Sequence, residues 1–425
     1  MKINVLIFPA GEVNSVELHN ALSTCVNIKV FGASSVERHG SYVFKNYIGG
    51  LPRILESEFF EAFNALLDDN KIDVVFPTHD SIAEFFSLNQ ARIKSKVIVA
   101  AADTSRVCRD KFLTYEHFRE DSFCPAIYRS LDEIPAYPVF IKPSQGQGSV
   151  GAAPCLSASD MEGVDFSTYV VSELLPGEEL TVDCITDSHG ELKLAAPRSR
   201  QRVMAGISVA SETQVLTEEI RQIAHTINAR LKFLGLWFFQ IKKDASGKYK
   251  LLEVATRCAG TMCLTRAKGA NLALLSVYAV LGKDIDVVVN DQMLTVDRTL
   301  INRYKLDYIY DTVYYDFDDT VTLNGKVNLA AIRYLYQCFN QNITVILITK
   351  HEKNIHETLD FYGIHEKLFS KIIHLKPYEN KIDHITPERA IFIDNSFAER
   401  KAVAQKYKIP VFDVDAIEVL LDWRL

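Results

Sequence analysis

The sequence predicts a chain of several α/β units rather than a single core, and three observations carry that expectation. At 425 residues it exceeds what one hydrophobic core ordinarily organises. Its first hundred or so residues alternate continuous apolar runs with helical stretches, the pattern of a parallel layer. A fresh strand-like run, "DTVYYDF", begins near residue 311, after a connecting stretch from about 285 to 305.

Taken in order, "INVLIFPAG" (3–11) predicts a buried parallel strand, and "IKVFGAS" (28–34) and "DVVFPTHD" (73–80) predict two more. Gly11 follows the first strand, but "GEVNSVE" lacks the later glycines of a dinucleotide fingerprint, which argues against a nicotinamide site. This layer is expected to be a scaffold. A helix opens near "CRDKFLTYEHF", and "YPVFIKPSQGQGSVGAA" predicts a strand that runs into a glycine-rich loop. "YVVSELLPGEELTVDCIT" (169–186) predicts two strands broken at Pro176 and Gly177, an acidic β-hairpin, and "YKLLEVATR" (249–257) predicts one more strand. "ANLALLSVYAVLGKD" predicts a helix stopped by its glycine, and "ITVILIT" (343–349) and "RAIFIDNS" (389–396) predict strands of the last unit.

Charge and composition narrow the partners. The net charge is −7, with no Lys/Arg-rich block or basic helix face, so neither nucleic acid nor an anionic lipid surface is expected. No apolar run reaches the length of a membrane span. "MKINVLIFPAG" enters a strand without a cleavage site, and a cytoplasmic location is expected. Eight scattered cysteines without a CxxC pair predict neither a disulfide nor a structural metal. Small molecules are the expected partners, and homo-oligomerisation is left open.

A lysine at a strand end followed by side-chain-poor backbone suits a polyphosphate, which Lys142 and the loop of Gly146, Gly148 and Gly151 provide, although the Walker spacing is absent. Lys111 precedes this loop, the acidic 169–186 segment follows it, and Glu253 on a later strand is followed by Arg257. This order resembles the ATP-grasp family of carboxylate-amine ligases, over about residues 1–305. The resemblance implies a Rossmann-like pre-ATP-grasp α/β domain at 1–105 and an ATP-grasp domain at 106–305. It also implies that Lys111 and Lys142 contact ATP phosphates and that the loop with Gly146, Gly148 and Ser149 closes over them. Glu173 and Leu175 would lie at the adenine hinge and Glu179 on the ribose. Gln240 and Glu253 would face Mg²⁺, Arg257 the transferred phosphate, and Arg198 or Arg200 the acidic substrate. Ala255 stands where the family usually has a metal-binding Asn, and Gln240 where it has an acid.

"YYDFDDTVT" (314–322) carries a second chemistry. An ionised Asp316 just beyond an apolar strand can attack phosphorus as a covalent nucleophile, and Asp318 can exchange a proton with the leaving group and with water. Two carboxylates beside a phosphate repel it unless a cation intervenes, which calls for Mg²⁺. Asp394 ends "AIFID", Thr349 ends "ITVILIT", and "HLKPYENKID" supplies Lys376 and Lys381. Together these resemble the four motifs of the haloacid dehalogenase (HAD)-like phosphohydrolases, over about residues 310–425, which implies a Rossmannoid domain at 306–425. In that resemblance Asp316 is the nucleophile, Asp318 the acid/base, and Thr349 with Lys381, preferred over Lys376, the phosphate binders. Asp394, Asp316 and the Asp318 backbone carbonyl would hold Mg²⁺. Asn395 stands where a second acid is common, and Glu399 is the candidate to compensate. The 33 residues from Asp316 to Thr349 leave room for only a minimal cap.

The expected function is therefore bifunctional: an ATP-dependent ligase that joins a carboxylate to an amine through an acyl phosphate, and a Mg²⁺-dependent phosphatase acting on a phosphate ester. The alternative is an ATP-binding regulatory module that controls a HAD-type phosphatase.

Overall fold

The computed structural model describes residues 2–146, 150–204 and 206–424. The chain forms two compact units, Met1–Leu300 and Ile301–Leu425. Among the described residues, no helix is long and apolar enough to cross a membrane.

The first unit begins with five parallel strands: β1 (Ile3–Phe8), β2 (Ile28–Ala33), β3 (Asn46–Ile48), β4 (Val74–Pro77) and β5 (Lys96–Val97), in the order β3-β2-β1-β4-β5. The run Val5-Leu6-Ile7-Phe8 is buried on both sides, as a central parallel strand requires. Its side chains alternate between two cores. Val5 and Ile7 pack with Leu18 and Leu22 of helix Val13–Leu22, whereas Leu6 and Phe8 pack with Phe59, Phe63 and Phe86. Helix Phe59–Asp69 presents Phe59, Phe63, Leu66 and Leu67 inward at the spacing of one helical face.

Antiparallel sheets follow. One contains β6 (Ile127–Tyr128), β7 (Val139–Pro143), β8 (Ala153–Cys155) and β9 (Tyr169–Glu173), in the order β6-β9-β7-β8. The next contains β10 (Glu179–Thr186), β11 (Leu192–Ser199), β14 (Gly235–Lys243) and β15 (Tyr249–Ala255), in the order β11-β10-β14-β15. Its outer face is covered by helix Glu218–Arg230, whose Ile220, Ile223, Ala224 and Ile227 pack on Val182, Trp237, Phe239 and Leu251. Its other face, through Ile185, Leu236 and Phe238, shares the core of β1 and of helix Leu272–Val280.

Two expectations are corrected here. The 169–186 segment is not a hairpin: β9 pairs with β6 and β7, and β10 pairs with β11 and β14. Pro176 and Gly177 carry the chain from one sheet to the next, where Gly177 N–H donates to Lys243 O at 3.0 Å. An added Cβ at Gly177 would lie 2.5 Å from the Lys243 Cβ, so only glycine fits this crossing. The stretch from 285 to 305 is not merely a connection either. It contributes β16 (Thr295–Asp297) to a three-stranded sheet with β12 (Arg202–Met204) and β13 (Ile207–Glu212), fastened by Arg202 and Asp297 at 2.8 Å.

The second unit has β17 (Thr312–Tyr315), β20 (Thr344–Thr349), β21 (Lys371–His374), β22 (Ala390–Ile393) and β23 (Val411–Phe412), all parallel, in the order β21-β20-β17-β22-β23. Val313 and Tyr315 enter one core, with Tyr334 and Leu335 of helix Leu329–Asn340, while Tyr314 enters the other with Ile348, Phe392 and Val403. Between β17 and β20 the chain makes only the short ladder of β18 (Thr322–Leu323) and β19 (Lys326–Val327) and that one helix.

Candidate active sites

In the first unit, the two antiparallel sheets bring together side chains far apart in sequence. A cavity of about 170 Å³ is lined by Lys111, Lys142, Gly146, Glu173, Leu175, Glu179, Arg200, Gln240 and Glu253. Gly148 and Ser149 lie outside the described residues. Lys111 stands at the start of helix Lys111–His117, whose first turn is capped by Asp110 accepting from Phe112 N at 2.8 Å. Lys142 is buried near the end of β7; its Nζ donates to Tyr115 Oη and, at 3.1 Å, to Leu252 O. Burial, with the Lys111 charge, pushes the Lys142 ammonium down to about 7, against the pull of Glu253 and Glu179.

The acidic residues are differently occupied. Glu173 closes β9 with its carboxylate accepting from Ala126 N at 2.9 Å. Glu179 opens β10 and pairs with Arg200 at 2.6 Å. Gln240 and Glu253 are direct partners across the β14–β15 ladder, so both reach the same cavity. Leu175 is buried in its wall.

A second cavity of about 460 Å³ shares Lys111, Gly146, Arg200, Gln240 and Glu253 with the first and adds Arg257, Arg109, His79 and Asp80. Arg257 is gripped by Asp80 through two bonds of 2.8 and 2.9 Å. Burial works against both ions, but the pairing wins: the guanidinium holds Asp80 below the usual carboxylate range, and the carboxylate raises Arg257. Arg198 and Arg200 divide in role. Arg198 is 2% exposed and its guanidinium is held by Asp183 at 2.9 and 3.0 Å and by Thr261, so its donors are engaged within the protein. Thr265, on helix Cys263–Ala267, also donates to Asp183, at 2.8 Å, which makes this cluster a brace between β10, β11 and that helix with its preceding Thr261. Arg200, paired with Glu179, lines both cavities, whereas Arg198 borders the second alone of the two.

Sequence reasoning missed Tyr115 and Asp80. Asp80 had a signal, since "PTHD" puts a carboxylate just past a strand end. Tyr115 had none, because an aromatic residue in an amphipathic helix looks like any core residue.

In the second unit the site sits at the carboxyl ends of three neighbouring strands. Asp316 follows β17, Thr349 ends β20 and Asp394 follows β22. Lys381, on a short 3₁₀ turn at Lys381–His384, lies 2.5 Å from Asp316 Oδ1 and 2.6 Å from Asp394 Oδ2. Lys376 points elsewhere, with its ammonium over the Tyr378 ring. Thr320 donates to Asp316 Oδ2 at 3.1 Å, and Ser396 N donates to Asp394 Oδ1 at 2.7 Å. The Thr349 hydroxyl is fully buried and finds no partner among the described residues.

Burial pushes Asp316 up to about 6, with Lys381 opposing the shift and Asp394 adding to it. Asp394 is raised by the same burial. Burial disfavours the Lys381 ammonium, but the two carboxylates outweigh that and hold it above the ordinary lysine range. Asp318 is half exposed and bonds to His351 at 2.9 and 3.0 Å. Glu399 pairs with Lys350 at 2.8 Å. Among the described residues no group of three or more His, Cys, Asp or Glu side chains could by itself hold a metal.

Residues 165–301 match the family model described as ATP-grasp in the biosynthetic pathway with Ter operon. No curated protein matches the sequence. Among similar solved structures is the biotin carboxylase domain of 2-oxoglutarate carboxylase from Hydrogenobacter thermophilus, in complex with MgADP, ADP and bicarbonate. It is 14% identical with a TM-score of 0.56, covering 69% of this chain and 73% of that one. Staphylococcus aureus N5-carboxyaminoimidazole synthetase complexed with ADP is 14% identical with a TM-score of 0.56, covering 67% of this chain and 79% of that one. The L-amino acid ligase of Bacillus licheniformis is 15% identical with a TM-score of 0.51, covering 66% of this chain and 74% of that one. At such identities the likeness concerns the fold alone. Over about 69% of its length this chain has an ATP-grasp fold within a mixed α/β, multidomain architecture.

Proposed function

We propose that the first unit is an ATP-dependent ligase that joins a small carboxylate to an amine, and that the second unit is a phosphohydrolase. The observation that carries the ligase reading is the convergence of Lys111, Lys142, Glu173, Leu175, Glu179, Gln240 and Glu253 on one cavity between two antiparallel sheets. Lys111 and Lys142 would balance the ATP phosphates, Leu175 and the Glu173 strand end would flank the base, and Glu179 would accept from the ribose hydroxyls. Arg200 is the candidate for the substrate carboxylate, whose oxygen attacks the γ-phosphorus and releases ADP. The amine then displaces phosphate from the acyl carbon. Arg257, held in place by Asp80, would stabilise the charge that spreads over the transferred group.

Mg²⁺ fits both donor sets, since it needs only one or two carboxylates when phosphates and water complete its shell. Glu253, with the Gln240 amide oxygen, would hold it in the first unit; Asp316, Asp394 and the Asp318 carbonyl would hold it in the second. Bound there, the ion would neutralise phosphoryl oxygens.

The phosphohydrolase reading rests on the Asp316–Lys381–Asp394 cluster beside a buried Thr349 hydroxyl that has no partner among the described residues. Asp316 would attack phosphorus, Asp318 would protonate the leaving oxygen, and Lys381 and Thr349 would hold the phosphoryl oxygens.

Incubation with ATP, Mg²⁺ and panels of acids and amines should release ADP for at least one pair; ADP formation no higher than in enzyme-free blanks would remove the ligase reading. A panel of phosphate esters tests the second unit, with release of inorganic phosphate that depends on Asp316 as the expected result.

A further inference from the structure

We propose that His351 is a positioning residue: it fixes the carboxylate of Asp318 so that this group can protonate the leaving oxygen. The inference rests on the phosphohydrolase reading of the second unit. His351 lies two residues beyond Thr349, on the loop that leaves β20, and its side chain is only 12% exposed. Its Nδ1 is 2.9 and 3.0 Å from the two carboxylate oxygens of Asp318. Its Nε2 is 2.8 Å from the Thr358 hydroxyl, on helix Ile355–Phe361.

The hydrogen-bond pattern assigns the ring. Thr358 donates its hydroxyl hydrogen to Asn354 O at 3.0 Å, so toward His351 it accepts, and Nε2 carries a hydrogen. The imidazole also stands edge-on to the buried Phe317 ring, with centroids 5.4 Å apart. Its backbone is pinned by His374, whose Nε2 donates to His351 O at 2.7 Å. The ring is therefore immobilised from the strand end, the helix and the neighbouring aromatic.

Asp318 is not. Its side chain is 51% exposed, and among the described residues His351 is the one side chain that hydrogen-bonds its carboxylate. Asp316, by contrast, is held by both Lys381 and Thr320. An exposed aspartate with one contact takes its orientation from that contact, and proton transfer tolerates little misalignment.

In the step concerned, an Asp316 oxygen bonds to phosphorus as the ester P–O bond breaks. The bond pair leaves on the ester oxygen, which takes the proton of the Asp318 carboxyl, giving an alcohol and an aspartyl phosphate. Aim matters when the leaving oxygen is strongly basic and matters little when it departs readily as an anion.

The test uses the full chain with Mg²⁺ and a series of alkyl and aryl phosphates that ends at p-nitrophenyl phosphate. It compares kcat/KM for the wild type, His351→Phe and His351→Asn. His351→Phe keeps the ring packing but loses the ring nitrogen that hydrogen-bonds Asp318; it is expected to lower kcat/KM by about 10–100-fold on alkyl phosphates and by less than about threefold on p-nitrophenyl phosphate. His351→Asn, whose side-chain amide can hydrogen-bond Asp318 in place of Nδ1, is expected to restore most of the alkyl activity. Equal losses on all esters, wild-type rates throughout, or failure of Asn to rescue would each overturn the inference. If the wild type hydrolyses no ester, or Asp316→Asn keeps the wild-type rate, the phosphohydrolase reading falls and takes this role with it.

Discussion

Two sheets in this molecule have the same plan. Each is five-stranded and all-parallel, and in each the strands run third, second, first, fourth, fifth across the sheet. Their carboxyl ends differ. In the first unit, β1, β2 and β4 are followed by Pro9, Ser34 and Thr78, and these ends satisfy one another: Thr78 donates to Pro9 O at 2.7 Å, and Ser34 Oγ accepts from Ala10 N at 3.0 Å. In the second unit the matching strands end at Asp316, Thr349 and Asp394, where two carboxylates share one ammonium and a buried hydroxyl has no partner among the described residues. The crevice at a switch in strand order is a property of the topology, but whether it holds chemistry depends on one residue past each strand. The first edge closes on its own hydrogen bonds at these positions and meets the second cavity through Thr78, His79 and Asp80, whereas the second edge is charged and, among the described residues, incompletely satisfied.

Changes at these ends probe that contrast. Asp316→Asn removes the proposed nucleophile and is expected to abolish phosphate release from esters, by about 10⁴-fold or more, with the fold retained by circular dichroism. Lys381→Met leaves two buried carboxylates facing each other and is expected to cost about 3–5 kcal/mol, read in urea unfolding of the magnesium-free protein. Added Mg²⁺ should recover part of that loss. In the other unit, Lys142→Ala is expected to weaken ATP binding by about 10–100-fold in calorimetry, as loss of a charge-assisted contact to phosphate does.

The pH dependence of the same lysine follows from its position. In the free protein Lys142 is charged below about 7 and neutral above it. ATP selects the charged form, so affinity should be level on the acid side and fall as pH rises, by at most about tenfold per unit. Titration near pH 7 in buffers of different ionisation enthalpy should show proton uptake on binding. Thr78→Val, at the matching strand end of the first sheet, should leave ester hydrolysis within about twofold of wild type, since the change lies outside the second unit. A larger effect would break the contrast between the two edges.

How much of this was readable beforehand varied with the range of the interaction. Strands such as "INVLIF" and "TVILIT" announce themselves by continuous apolar runs, and Asp316, Thr349 and Asp394 are visible because a polar residue closes each run. The 169–186 segment was misread because two β-prone runs around a Pro-Gly break look alike whether they pair together or with distant strands. The β16 strand went unseen because three residues, Thr295–Asp297, carry too little pattern, and pairing with Ile207–Glu212 alone makes them a strand. Arg198 and Arg200 are two residues apart and chemically alike, yet Asp183 and Thr261 engage one at the edge of the second cavity, while the other, paired with Glu179, lines both.

Local chemistry was written in the chain: which segments bury themselves, where the candidate lysines and the acidic strand ends fall, and the order in which they come. Tertiary contact decided which of those groups share a space and which are already spent on one another, as with Lys381 rather than Lys376 between the two aspartates, Asp80 on Arg257 and His351 on Asp318. The division has a physical cause. Burial and strand endings depend on neighbours a few residues away, whereas the partner of a charge is chosen by distances that exist only after the sheets have packed.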